Sequence, residues 1–141
     1  MTQPYPVRAV VHAICVFLMT LVPALFVASD MSAQAMDAPA HKQMMNDASD
    51  AQEDFRFALS DKDQKAAVAS LTKLEAFMGQ TESYWTGKKA ADGVTLAKEA
   101  RASAAAALTA AKANNMTAAK DAFDRMGNTC NTCHELHLEK K

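Results

Sequence analysis

"VTLAKEARASAAAALTAAKA", running from Val94 to Ala113, is the stretch from which the fold class can be read. It holds neither proline nor glycine, and most of its residues are strong helix formers. Val94, Ala97, Ala104, Leu108 and Ala111 fall along one side at helical spacing. That side is made mainly of small side chains, so neighbouring helices can approach it closely. Asn114-Asn115 breaks the run.

The flanking sequence offers helices of the same kind. Pro39 is the last proline, and Gly79, Gly87, Gly93 and Gly127 are the only glycines. A first helix is expected from about His41 to Leu59, ended by the polar "SDKD", where Asp61 or Asp63 can cap the next one. The second covers about Gln64 to Met78, with Ala67, Leu71, Leu74 and Met78 on one buried stripe and Gly79 suited to the C′ position. A linker, "QTESYWTGKKAADG", carries Tyr84 and the single tryptophan, Trp85. A fourth helix is expected from about Thr117 to Glu139, with Phe123, Met126, Cys130, Cys133 and His137 on or near one face. Four such helices on short connections predict an all-α, antiparallel four-helix bundle. Large apolar residues are few for that architecture, and alanine burial contributes little per residue. A large, flat apolar body would fill the centre better.

The front of the chain reads as an address. Behind Arg8 lies the apolar run Ala9 to Ala28, followed by small residues and the A-x-A pattern Ala33-Gln34-Ala35. These features match a secretory signal peptide over residues 1–35. An uncleaved anchor is the competing reading, because about twenty apolar residues can span a bilayer; Pro23, His12 and the A-x-A pattern favour cleavage. Cys15 would be discarded with the leader. Removal of one basic residue, Arg8, and one acidic residue, Asp30, keeps the net charge at −1. Neither a basic patch for nucleic acid nor an acidic tail for a partner stands out. The domain expected after export is 36–141, with Cys130 and Cys133 as its only cysteines.

Those two cysteines lie in "GNTCNTCHELH", Gly127 to His137. "CNTCH" is the attachment pattern of a c-type haem. Two thiols three residues apart can each form a thioether to one porphyrin edge, and the adjacent His134 imidazole then reaches the iron. A thioredoxin-type dithiol would open a helix after a strand, and no strand precedes Cys130. Zinc needs four ligands; Cys130, Cys133, His134 and His137 supply the number, but Cys133 and His134 are adjacent and awkward tetrahedral partners. A structural disulfide closes too small a loop to stabilise much.

With a leader, four helices and CxxCH near the C-terminus, the chain resembles the cytochrome c′ family from about Met36 onward. The specific part is "TCNTCHELH"; the remainder is pattern and composition. The resemblance implies an up-down-up-down bundle with one covalent haem between the helices near one end. Cys130 and Cys133 would hold it, and His134 would be the proximal iron ligand. In the family's low-spin branch a methionine of the first helix is the distal ligand, and the protein transfers electrons. Laying "DFRFALSDKD" on the end of that helix places Met45 at the ligand position, with Met44 as the alternative. His41, one turn before Met45, would give a bis-His site instead. The high-spin branch leaves the iron five-coordinate and open to nitric oxide or carbon monoxide.

His137 lies too close to His134 along the helix to reach the opposite haem face, and suits packing or a propionate contact. Phe55, Phe57, Tyr84 and Trp85 are candidate pocket walls, and Arg56, Arg101 and Arg125 candidate propionate partners. No catalytic triad, carboxylate pair or phosphate loop suggests an enzyme. The expected function is therefore a periplasmic monohaem electron carrier that meets redox partner proteins. A homodimer is a further expectation from the family; binding to nucleic acid, or to a membrane after leader cleavage, is not expected.

Overall fold

A computed structural model of the chain describes residues 36–137. The expected leader, its cleavage point and Leu138–Lys141 lie outside the described residues. Four helices make up the described chain: α1 (Ala38–Asp61), α2 (Gln64–Lys88), α3 (Ala91–Lys112) and α4 (Met116–His137). Among the described residues there is no strand. The all-α, four-helix expectation is met.

The local chemistry accounts for each helix end. Asp37 caps α1 by accepting from the Ala40 amide at 2.8 Å, and Pro39 sits in the first turn, where its missing N–H costs nothing. Asp63 caps α2 by accepting from the Ala66 amide at 2.9 Å. Asn115 accepts from the Ala118 amide at 3.1 Å at the start of α4. Ala90, the N-cap of α3, supplies no side-chain cap, but Asp92 in the first turn lies at the positive end of the helix dipole. Lys62, Lys89 and Asn114 turn the chain between helices with φ of 56°, 58° and 56°. Left-handed backbone at a non-glycine residue costs about 1 kcal/mol, and no glycine takes any of these positions.

That choice of turn residues explains the largest departure from the sequence expectation. α2 does not stop at Met78; it continues to Lys88, so most of the expected linker is helix. Gly79 is inside α2, where its bare Cα faces the Arg101 side chain, the nearest atoms being 3.4 Å from a built Cβ. Thr81, Ser83 and Thr86 return their hydroxyls to carbonyls four residues back, at 2.9, 3.1 and 2.8 Å. Polar residues that signal a loop are thereby accommodated within the helix. α3 correspondingly begins at Ala91 instead of Val94, and α1 at Ala38 instead of His41.

The helices pack in chain order. α2 lies close against α3, α3 against α4 and α1 against α2, while α1 and α4 stand farther apart. Bulk bridges the wider pair: the Phe55 and Phe123 rings meet at 4.6 Å, and the Arg56 guanidinium lies 5.2 Å over Phe123. Phe55, Leu71, Leu74 and Met126 are the largest fully buried side chains. The expected α2 stripe of Ala67, Leu71, Leu74 and Met78 is buried, as are Ala97, Ala104, Leu108 and Ala111 of α3. Val94 is only half-buried, and Ala100 and Ala107 complete the α3 face in its place. Alanine lines most of the remaining interior, which is what allows the close α2–α3 and α3–α4 approaches. Gln64 ties the C-terminal end of α3 to the start of α2, donating to the Ala111 and Lys112 oxygens at 2.9 and 3.2 Å. None of the described helices is long and apolar enough to cross a membrane.

Candidate functional site

At the opposite end, where α1 starts and α4 finishes, the interior is incompletely filled. A cavity of about 110 Å³ opens there, enough for several waters at roughly 10–15 Å³ of such volume each. Each helix contributes a wall. Met45, Ala48, Ser49 and Gln52 come from α1, Met78 and Thr81 from α2, Leu96, Ala97 and Ala100 from α3, and Thr129, Cys130, Cys133 and His134 from α4. The lining is dominated by small side chains on α3 and by sulfur on α1, α2 and α4. The space exists because alanines occupy positions where a self-sufficient core would place leucines.

The sequence candidates fall out as follows. Cys130, Cys133 and His134 share this cavity with Met45, although α4 and α1 are separated by most of the chain. Both thiols are half-buried and unbridged, and His134 is exposed at the mouth. Burial first, and the neighbouring Cys133 second, push the Cys130 thiol up to about 11. Cys133 is raised by burial and then by the charge of Asp92. Both sulfurs are therefore held as thiols near neutral pH.

The two methionines separate cleanly. One residue along a helix is a rotation of about 100°, so Met44 and Met45 cannot face the same side. Met44 joins the buried stripe of Ala48, Ala51, Phe55 and Ala58, is 5% exposed, and does not line the cavity. Met45 is half-buried and lines it.

His41 does not line the cavity either. Its ring stacks on Tyr84, and its pKa is lowered by burial and then by the charge of the nearby His134. His137 packs on Trp85 at 4.4 Å between ring centres.

The remaining candidates lie elsewhere. Phe55 belongs to the core beneath the cavity, and Phe57 is 61% exposed on the outside of α1. Tyr84 and Trp85 sit beyond the cavity and do not wall it. Arg101 is held by Glu75 at 3.1 Å and Glu82 at 3.6 Å on the α2–α3 surface, and Arg56 lies over Phe123. Arg125 is exposed. Thr81, Ser49, Gln52, Leu96, Ala97 and Ala100 line the cavity without having been candidates; nothing in their spacing distinguishes them from ordinary core or surface positions.

The donor set limits what the cavity can hold. Among the described residues, no three His, Cys, Asp or Glu side chains converge as a metal cage, so Cys130, Cys133, His134 and His137 do not gather around one zinc-sized point. One imidazole and two thiols on α4, with the thioethers of Met45 on α1 and Met78 on α2, are the soft donors of the cavity, set among apolar walls. No protein-family model matches the chain, and neither the curated proteins nor the solved structures include a significant match.

Proposed function

We propose that the chain is a c-type cytochrome with one haem that carries single electrons, akin to the low-spin, methionine-ligated branch of the cytochrome c′ family. The observation that carries this reading is that Met45, Cys130, Cys133 and His134 line one cavity walled by all four helices. Cys130 and Cys133 would hold the porphyrin edge covalently, His134 would be the proximal iron ligand and Met45 the distal one. When bound, the haem would supply an Fe(II)/Fe(III) couple, and a thioether ligand would favour the reduced form. The chain's own part is positional. Turns of two or three residues and an alanine-lined interior would leave room between the helices for a flat body. We further propose that residues 1–35 direct export to the periplasm and that its partners there are redox proteins.

Absorption spectra of the reduced protein and its variants test this reading. Wild-type protein is expected to show sharp low-spin bands that ignore carbon monoxide. Met45→Ala should convert them to broad high-spin bands that shift when the gas is added, whereas Met44→Ala should keep the low-spin spectrum. Wild-type protein that is high-spin and binds carbon monoxide would reverse the assignment in favour of a five-coordinate gas-binding protein. Colourless protein from cells competent in haem attachment would end the haem reading altogether.

A further inference from the structure

Beyond the cavity, His41, Tyr84, Trp85 and His137 form an aromatic cap over the end of the bundle. His41 stacks on Tyr84 at 3.8 Å, and Trp85 stands edge-on to both at 5.9 and 5.0 Å. Trp85 is seated on Gly93 of α3, where a Cβ would come within 2.7 Å of the indole. Along the helices the cap residues lie one turn from cavity residues: His41 is one turn before Met45, Trp85 one turn after Thr81, and His137 three residues after His134.

Three ring nitrogens in this cap, His41 Nε2, Trp85 Nε1 and His137 Nε2, are buried without a hydrogen bond. Native proteins leave few such groups unpaired. His137 Nε2 has Asp92 Oδ2 at 3.2 Å, close enough for charge contact but without hydrogen-bond alignment. His41 and Trp85 lack even that. An indole nitrogen only donates, so the partner missing at Trp85 is an acceptor. A neutral imidazole can place its proton on Nε2 and become a second donor. The nearby charges differ on the two sides: Asp92 is negative beside His137, while Lys88 Nζ lies 5.4 Å over the Tyr84 ring. A positive charge therefore stands near the His41–Tyr84 stack.

We infer that Trp85 Nε1 and His41 Nε2 receive a carboxylate of the porphyrin, an inference that rests on the haem reading proposed above. The centres of the two rings are 5.9 Å apart. The cap is then a carboxylate cradle, and Gly93 is what allows the indole to occupy it.

Resonance Raman spectra of the full haem-carrying protein test the inference through the propionate-bending band. Trp85→Phe and His41→Phe are each expected to move that band to lower frequency, while His41→Gln, which retains an N–H donor, keeps it near the wild-type position. Haem attached to every protein with the band unmoved in both phenylalanine variants overturns the cradle and leaves the haem reading standing. Wild-type protein without haem removes both together. If Trp85→Phe does not fold, His41→Phe, at a half-buried ring, decides the matter alone.

Discussion

Replacing Gly93 by alanine sets helix propensity against packing, and the structure says which prevails. In a helix interior Gly→Ala is worth about 1 kcal/mol in favour of alanine. At Gly93 the new Cβ would lie 2.7 Å from Trp85 Cδ2, 2.8 Å from Cγ and 3.1 Å from Cε3. Carbon atoms are comfortable at about 3.5–4.0 Å, so the indole must move by roughly 1 Å. It has little room, being hemmed in by Tyr84, His41 and His137. Overpacking of this sort costs about 1–3 kcal/mol, and Gly93 is in the first turn of α3, where the propensity gain is smaller. The expected net loss is about 1–2 kcal/mol, a fall in Tm of roughly 5–15 °C for a domain of this size. Gly127→Ala is the control, because nothing lies within 4 Å of its built Cβ. It should gain about 0.5–1 kcal/mol from propensity alone. Thermal melting by far-ultraviolet circular dichroism, with wild type and both variants in the same haem state, reads the contrast. If Gly93→Ala melts at or above wild type while Gly127→Ala gains stability, Trp85 does not sit on Gly93 and the cap is wrongly drawn.

Three other outcomes follow from the packing and the thiols. Phe55→Ala should cost about 3–5 kcal/mol in urea unfolding, since the ring is fully buried against Phe123; Phe57→Ala, at an exposed ring, should stay within about 0.5 kcal/mol of wild type. Asp63→Ala removes the acceptor for the Ala66 amide and should lower stability by about 1 kcal/mol, again by urea unfolding. With its thiol raised to about 11, Cys130 in reduced, haem-free protein should alkylate slowly. An acid with a raised pKa has less of its reactive anion at every lower pH, so at pH 8 the thiolate fraction is about a hundredfold below that of an ordinary thiol. The rate should climb about tenfold per pH unit until pH approaches 11. A Cys130 that reacts as fast as a free thiol at pH 8 would show that it is not buried.

The legible and illegible parts of the chain divide on physical grounds. Ala67, Leu71, Leu74 and Met78 were readable because a buried stripe repeats every 3.6 residues whatever lies opposite. The end of α2 was not. Thr81, Ser83 and Thr86 look like loop residues until their hydroxyls are seen bonding back to the helix, and Lys89 turns the chain without the glycine that usually marks such a stop. With α2 expected to end at Met78, Trp85 falls in a linker, where its contact with Gly93 has no signal. The Cys130–His134 motif could be read because its chemistry is local. Which of Met44 and Met45 faces the cavity could not be read from the residues alone, since it depends on how α1 is rotated against three other helices.

The wide spacing between α1 and α4 has a consequence for assembly. Because the extensive backbone contacts join only helices that are consecutive in the chain, each forms by closing a short hairpin, at small entropic cost. Topologies of this kind fold in microseconds to milliseconds. The barrel then has one seam, between its first and last staves, clasped by Phe55 against Phe123. The early turns of α1, beyond that clasp, are where the fold should breathe first, and hydrogen exchange should find Met45 and its neighbours less protected than α3. A planar guest could enter through that seam while the rest of the domain stays folded.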